Sequence, residues 1–149
     1  MVISGTKKGE PWNIGIQNPL ATIESSTITI SNKNHDFLSI ATSGEYRNYK
    51  FDDKGNKVTH TINPKTLSSI SNNILSVTIV NETSATYADA YATAFNAMGV
   101  KKAIDVANNN NIASMIIFKD EDNVDIIYSD KWYDFCLLYT SPSPRDATL

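Results

Sequence analysis

Three short segments hold the residue types that do chemistry: Ala41-Thr42-Ser43-Gly44-Glu45-Tyr46, His60-Thr61-Ile62-Asn63-Pro64-Lys65-Thr66 and Ala88-Asp89-Ala90-Tyr91-Ala92-Thr93. Thr42 and Ser43 offer hydroxyls, and Gly44 a flexible backbone N–H, at the expected end of a strand. Such a set can cradle a phosphate or line a nucleotide pocket, although a tight turn or β-bulge uses the same residues. Histidine titrates near neutral pH and is the commonest general base. His60 falls at a predicted strand end, with Pro64 fixing the chain beyond it, and rigid strand ends commonly carry catalytic groups. A lone histidine is more often structural, and His35 in the polar Asn32-Lys33-Asn34 loop reads that way. Asp89 and Thr93 are four apart, so a helix puts both oxygens on one face. A carboxylate with a hydroxyl suits a hard cation such as Mg²⁺, which takes one or two protein ligands and leaves the rest to water or substrate phosphates. The same pair also fits a dipole-complementing acid and a back-bonded threonine.

Strands must position the first two segments and a helix the third. Trp12–Ile16, Thr22–Ser31, Phe37–Thr42 and Ile74–Val80 have the alternation or β-branched content of strands. Tyr46–Lys50 and Val58–Ile62 flank Asp53-Lys54-Gly55-Asn56, a hairpin turn in which Gly55 supplies positive φ. Tyr46, Tyr49 and Phe51 suit either ring stacking or a core. Ala85–Met98 is alanine-rich and free of Gly and Pro, so a helix is expected, started by Thr83 or Ser84 and stopped at Gly99. Val100–Ala107 reads as a second helix, ended by the run Asn108–Asn111. Ala113–Phe118 and Val124–Tyr128 make a late hairpin. The expectation is an α+β fold with a largely antiparallel sheet and a late helical hairpin. It occupies residues 1–135.

Composition narrows the function. The chain has 149 residues, enough for one core, and its 41% apolar and 19% charged content excludes a disordered chain. A net charge of −3 gives no footing for nucleic acid. Cys136 is the only cysteine, which rules out a disulfide framework or a thiolate cage. No apolar run is long enough to span a membrane, and the first eight residues lack a signal-peptide core. From Cys136 onward (CLLYTSPSPRDATL) neither period persists, and Pro142 and Pro144 break regular structure. Residues 136–149 are expected to be an unstructured, non-native tail. No GxxxxGK[ST], GxGxxG or G-x-S-x-G motif occurs.

Taken as an ordered set, the segments resemble the C-terminal half of the FAD:protein FMN transferases, the ApbE-type flavin transferases. Gly9-Glu10-Pro11-Trp12-Asn13-Ile14-Gly15-Ile16 matches that family's Gly-x-Pro-Trp-x-Ile-Gly-Ile. Ala41–Tyr46 matches Ala-Thr-Ser-Gly-(Asp/Asn)-Tyr, His60–Thr66 matches His-x-Ile-(Asp/Asn)-Pro-x-Thr-Gly, and Ala88–Thr93 matches Ala-Asp-Ala-x-Ala-Thr. The resemblance covers residues 5 to about 133. It implies Mg²⁺-dependent transfer of FMN from FAD to a threonine or serine hydroxyl of a target flavoprotein. By the same resemblance His60 is the base, and Asp89 and Thr93 bind Mg²⁺ with the backbone of Ala92 close by. Thr42, Ser43, Ile62 and Thr66 then lie along the FAD site. An N-terminal half in the family supplies the adenine and isoalloxazine pocket, and its members are typically periplasmic or cell-envelope lipoproteins. Any membrane contact would run through such an N-terminal anchor. The chain alone is therefore expected to be an inactive fragment. Leu67 departs from the pattern, standing where the family has glycine; if that position needs positive φ, leucine strains the turn by about 1–2 kcal/mol. Two other readings stay open on the residues alone: a non-catalytic remnant that binds FAD or Mg²⁺, and a small α+β structural or interaction domain.

Overall fold

The computed structural model describes residues 1–17, 19, 26–44, 49–55, 57–121 and 123–135. In chain order the strands begin with β1 (Val2–Ser4), β2 (Asn13–Gln17), β3 (Ser26–Ser31) and β4 (Phe37–Gly44). Short strands β5 (Tyr49–Phe51), β6 (Lys57–Thr59), β7 (Ile62–Asn63) and β8 (Ser68–Ser69) follow, then the long β9 (Ile74–Asn81). Helices α1 (Ala85–Met98) and α2 (Val100–Asn109) precede β10 (Ala113–Asp120), β11 (Asn123–Tyr128) and a 3₁₀ turn at Asp130–Asp134. The main sheet has the order β1-β4-β9-β10-β11, and every neighbouring pair in it is antiparallel. Three small hairpins, β2–β3, β5–β6 and β7–β8, accompany it. The fold is thus α+β, with two helices inserted late.

The expected helix boundaries have visible causes. The Asn81 Oδ1 accepts from Thr83 N at 2.9 Å and Ser84 N at 2.7 Å, turning the chain out of β9. Ser84 is then the N-cap, its Oγ accepting from Tyr87 N at 3.3 Å. Gly99, at φ 81° and ψ 161°, stops α1 and starts α2 in one step. Asn111 takes φ 53°, the left-handed conformation expected of the asparagine run. Asp89 is the fifth residue of α1, just past a first turn that holds no acid.

Both faces of the sheet are covered. On one, Ala88, Ala92 and Phe95 of α1 and Ala103 and Ala107 of α2 pack on Val77, Ile79 and Ile116. The alanines bring the helix axis close to the sheet, and Phe95 fills the space beyond them. On the other face, Ile16 and Ile30 of the β2–β3 hairpin pack with Leu38, Ile40 and Met115. Trp132 and Phe135 of the C-terminal turn close that cluster. Asn32 ties the N-terminal segment down, its Oδ1 accepting from Trp12 N at 2.7 Å and its Nδ2 donating to Gly5 O at 2.8 Å. His35 is structural, as its loop suggested, with Nδ1 3.0 Å from Glu82 Oε1. Lys131 joins the same cluster, 2.8 Å from Asp134 and 3.6 Å from Glu82. Its ammonium pKa is raised, first by the Asp134 hydrogen bond and then by the charge of Glu82.

The structure departs from expectation in four places. The strand β1 was not foreseen, because three residues are too few to display a period of two. Thr42-Ser43-Gly44 forms no turn: the β4 ladder runs through Gly44, which pairs with Ser76. The expected Val58–Ile62 strand is broken at His60, into β6 and β7, while Tyr49 and Phe51 take the exposed of their two open readings, meeting edge to face at 5.5 Å. The 3₁₀ turn carrying Trp132 was missed. Thr22–Ser25, Tyr46 and the 136–149 tail, including Cys136, lie outside the described residues. Among the described residues no helix is long and apolar enough to cross a membrane.

Leu67 does require the left-handed backbone, at φ 54°, and its side chain is 81% exposed. Its N–H donates to Asn63 O at 2.8 Å, which closes the turn in that conformation. Leu67→Gly removes about 1–2 kcal/mol of strain and adds about 0.4–1 kcal/mol of unfolded-state entropy cost. A net gain of about 0.5–1 kcal/mol is expected, seen as a higher urea midpoint at unchanged slope.

Candidate functional site

The turn that carries His60 is fastened on both sides. Thr59 N donates to Ser69 Oγ at 2.8 Å, and Ser69 Oγ donates back to Thr59 O at 3.0 Å. On the far side of His60, Ile70 N donates to Thr61 O at 3.0 Å. Thr61 is buried while His60 is exposed, so the backbone is held and the imidazole faces outward. Pro64 then leads through Lys65 to Thr66, whose hydroxyl bonds Ser68 Oγ at 2.8 Å. Ile62 is 52% exposed on the same short hairpin.

From β8 the connection continues into the helix. Asn72 Nδ2 donates to Asn96 O at 2.6 Å, and Asn72 Oδ1 accepts from Ile74 N at 3.0 Å. Asn96 is fully buried in α1, and its Nδ2 donates to Ser43 Oγ at 3.4 Å. Hydrogen bonds on either side of the short covalent link Ile70–Ser71–Asn72 therefore connect the His60 turn with the last turns of α1 and the end of β4. Sequence reasoning missed Asn72 and Asn96. Asn96 did give a signal: an asparagine in an alanine-rich helix works against propensity and so answers to a partner.

The other candidates divide between faces. Because side chains alternate along a strand, Ser43 lies on the helix side with Ala41, while Thr42 lies on the opposite side. There Thr42 Oγ1 is 2.8 Å from Thr78 Oγ1. The two hydroxyls cannot cradle one group together, which corrects the expectation of a joint Thr42–Ser43 phosphate turn. Asp89 and Thr93 are both exposed on the outer face of α1. Ala92 is not with them: its side chain is fully buried against the sheet. That side chain spaces the helix from the sheet, while the backbone of Ala92 lies one residue before Thr93 in α1. Among the described residues no three of His, Cys, Asp and Glu gather at one point. One carboxylate and one hydroxyl on an open helix face fit a hard cation whose other positions are filled from elsewhere. They do not fit a closed, all-protein cage.

The structure thus brings together a strand-held turn with an exposed histidine and a helix bearing an exposed Asp–Thr pair. The profile of the ApbE family matches residues 1–117, and the chain belongs to that family. It is 35% identical over 114 residues to the FAD:protein FMN transferase of Haemophilus influenzae, spanning 76% of this chain and 32% of that one. Among solved structures, the apo flavinyl transferase ApbE of Pseudomonas stutzeri superposes with a TM-score of 0.72 at 26% identity. That match covers 89% of this chain and 39% of the other. The flavin transferase ApbE of Vibrio cholerae gives 0.70 at 30% identity, over 89% and 40% of the two chains. The chain thus spans about a third of the length of the curated relatives it matches.

Proposed function

We propose that this chain supplies the base and the cation-binding wall of an FAD:protein FMN transferase. The observation that carries the proposal is the frame that runs from Thr59 through the β8–β9 link and Asn72 to Asn96 and Ser43, with His60 exposed at one end and Asp89 and Thr93 open on the helix. His60 takes the proton from a serine or threonine hydroxyl of the target flavoprotein. The freed oxygen attacks the phosphorus on the riboflavin side of the FAD pyrophosphate. The bond to the AMP oxygen breaks, AMP leaves, and a phosphoester joins FMN to the acceptor. Asp89 and Thr93 would hold Mg²⁺, which when bound offsets the charge of the pyrophosphate and of the leaving phosphate. Ser43, Ile62 and Thr66 line the FAD side of the frame. Thr42, on the other face of β4, supports that strand through Thr78. The adenine and isoalloxazine would be held by residues outside this chain.

The cation assignment has its own test, FAD binding to the chain followed by flavin fluorescence with and without Mg²⁺. Asp89→Ala should remove most of the Mg²⁺ effect, weakening the cation's apparent affinity by about tenfold or more. Because Asp89 is exposed, the variant should stay folded. The same Mg²⁺ response in the variant would reject Asp89 as a ligand.

A further inference from the structure

The main sheet ends on β11, and no described strand pairs with its outer side. Every second residue of an antiparallel edge strand turns its N–H and C=O away from the sheet, which makes a template for one more strand. Natural edges are blunted by shortness, by lysine or proline, or by a bulge. The opposite edge, β1, has only three residues. β11 instead runs for six residues in unbroken register against β10, and its sequence NVDIIY holds neither lysine nor proline. Its two faces differ. Val124, Ile126 and Tyr128 are half-buried against the cluster around Trp132, while Asp125 and Ile127 lie on the helix side, where Asp125 is exposed. Asp120 and Glu121 stand at one end of the strand and Asp130 at the other, all exposed. None of these carboxylates is in an ion pair with a described residue. Of the neighbouring lysines, Lys119 is exposed in β10, and Lys131 is committed to Asp134 and Glu82.

We propose that β11 is a docking edge for an extended segment of a partner protein in which apolar and basic residues alternate. On one face the apolar residues continue the row of Val124, Ile126 and Tyr128. On the other a lysine or arginine stands opposite Asp125, and such cross-strand pairs stabilise an added strand. The carboxylates select the occupant. They attract a basic strand and steer its approach, and they repel an acidic one. They also oppose a second copy of this chain, because an antiparallel pair centred on Asp125 sets that carboxylate against its own mate and Asp120 against Asp130. The docking edge does not depend on the transferase reading, since β9 and β10 stand between β11 and the strand that carries Ser43.

Amide hydrogen exchange of the ¹⁵N-labelled chain tests it. The probes are an acetylated, amidated heptapeptide alternating lysine with valine, and its counterpart with glutamate in place of lysine. At saturation the lysine peptide should slow the outward amides of β11 by about tenfold or more, and the glutamate peptide should leave them unchanged. Asp125→Lys changes an exposed side chain and keeps the ladder to β10, so the variant should stay folded. It should weaken the lysine peptide about fivefold or more, and added salt should weaken binding to the parent. Unprotected β11 amides, equal protection by the glutamate peptide, or equal binding by Asp125→Lys would each overturn the proposal. Outward amides already protected in the free chain would overturn it too. Protection that grows with chain concentration gives the edge to a second copy, and protection independent of concentration gives it to a segment of the same chain.

Discussion

Replacing His60 with alanine lowers kcat for FMN transfer by about 10²- to 10⁴-fold, the usual worth of a positioned base. The measurement uses this chain exchanged for its matching third of the Haemophilus influenzae relative, with covalent flavin on the acceptor as readout. His60 is exposed, and the bonds that hold its turn come from the backbone of Thr59 and Thr61. The substitution leaves those backbone bonds in place, so the loss of thermal stability should be small, about 1 kcal/mol or less, beside the loss of activity. FAD affinity should hardly move, because the base acts on the acceptor hydroxyl. A drop in stability together with activity would instead mark His60 as structural. Undiminished transfer would remove it as the base.

Trp132→Ala has the largest expected effect on stability, a loss of about 3–5 kcal/mol. Trp132 is fully buried, packs in the cluster with Ile30, Leu38 and Met115, and stacks on Tyr128 at 5.8 Å. Alanine leaves a cavity that the sheet and the β2–β3 hairpin, held by their own ladders, cannot collapse into. One term runs the other way. Trp132 Nε1 is buried with no hydrogen-bond partner among the described residues, which costs about 1–3 kcal/mol. Trp132→Phe drops that donor while keeping most of the ring, so its cost should stay below about 2 kcal/mol. Urea unfolding of the three proteins checks both figures. A loss under about 1 kcal/mol for the alanine variant would mean that the 3₁₀ turn only rests against the core.

The long elements were legible because their periods are long enough to count. Ile74–Val80 and Ala85–Met98 were read almost to the residue, and the Ser84 cap and the Gly99 stop followed from residue chemistry. The elements that escaped are short. The three residues of β1 and the five of the Trp132 turn display no period, and their positions are fixed by partners distant in sequence. Thr42-Ser43-Gly44 was misread for a related reason: Ser-Gly is a turn signal, but pairing with Ser76 and Val77 extends the strand through it. The site's residue types could be read from spacing alone, as with Asp89 and Thr93. Their frame could not, since Asn72 and Asn96 act through bonds spanning 24 and 53 residues. Leu67 lies between these cases. Its departure from the family pattern was visible in sequence, and the positive φ shows what the departure costs.

That this chain carries the base and the cation wall of an FMN transferase is tested by intact-mass measurement of an acceptor flavoprotein. The acceptor is incubated with FAD and the exchanged enzyme, with Mg²⁺ or with a chelator. The acceptor should gain the mass of one FMN less one water with Mg²⁺, and nothing with the chelator. No gain with Mg²⁺, or an equal gain in the chelator, would contradict it.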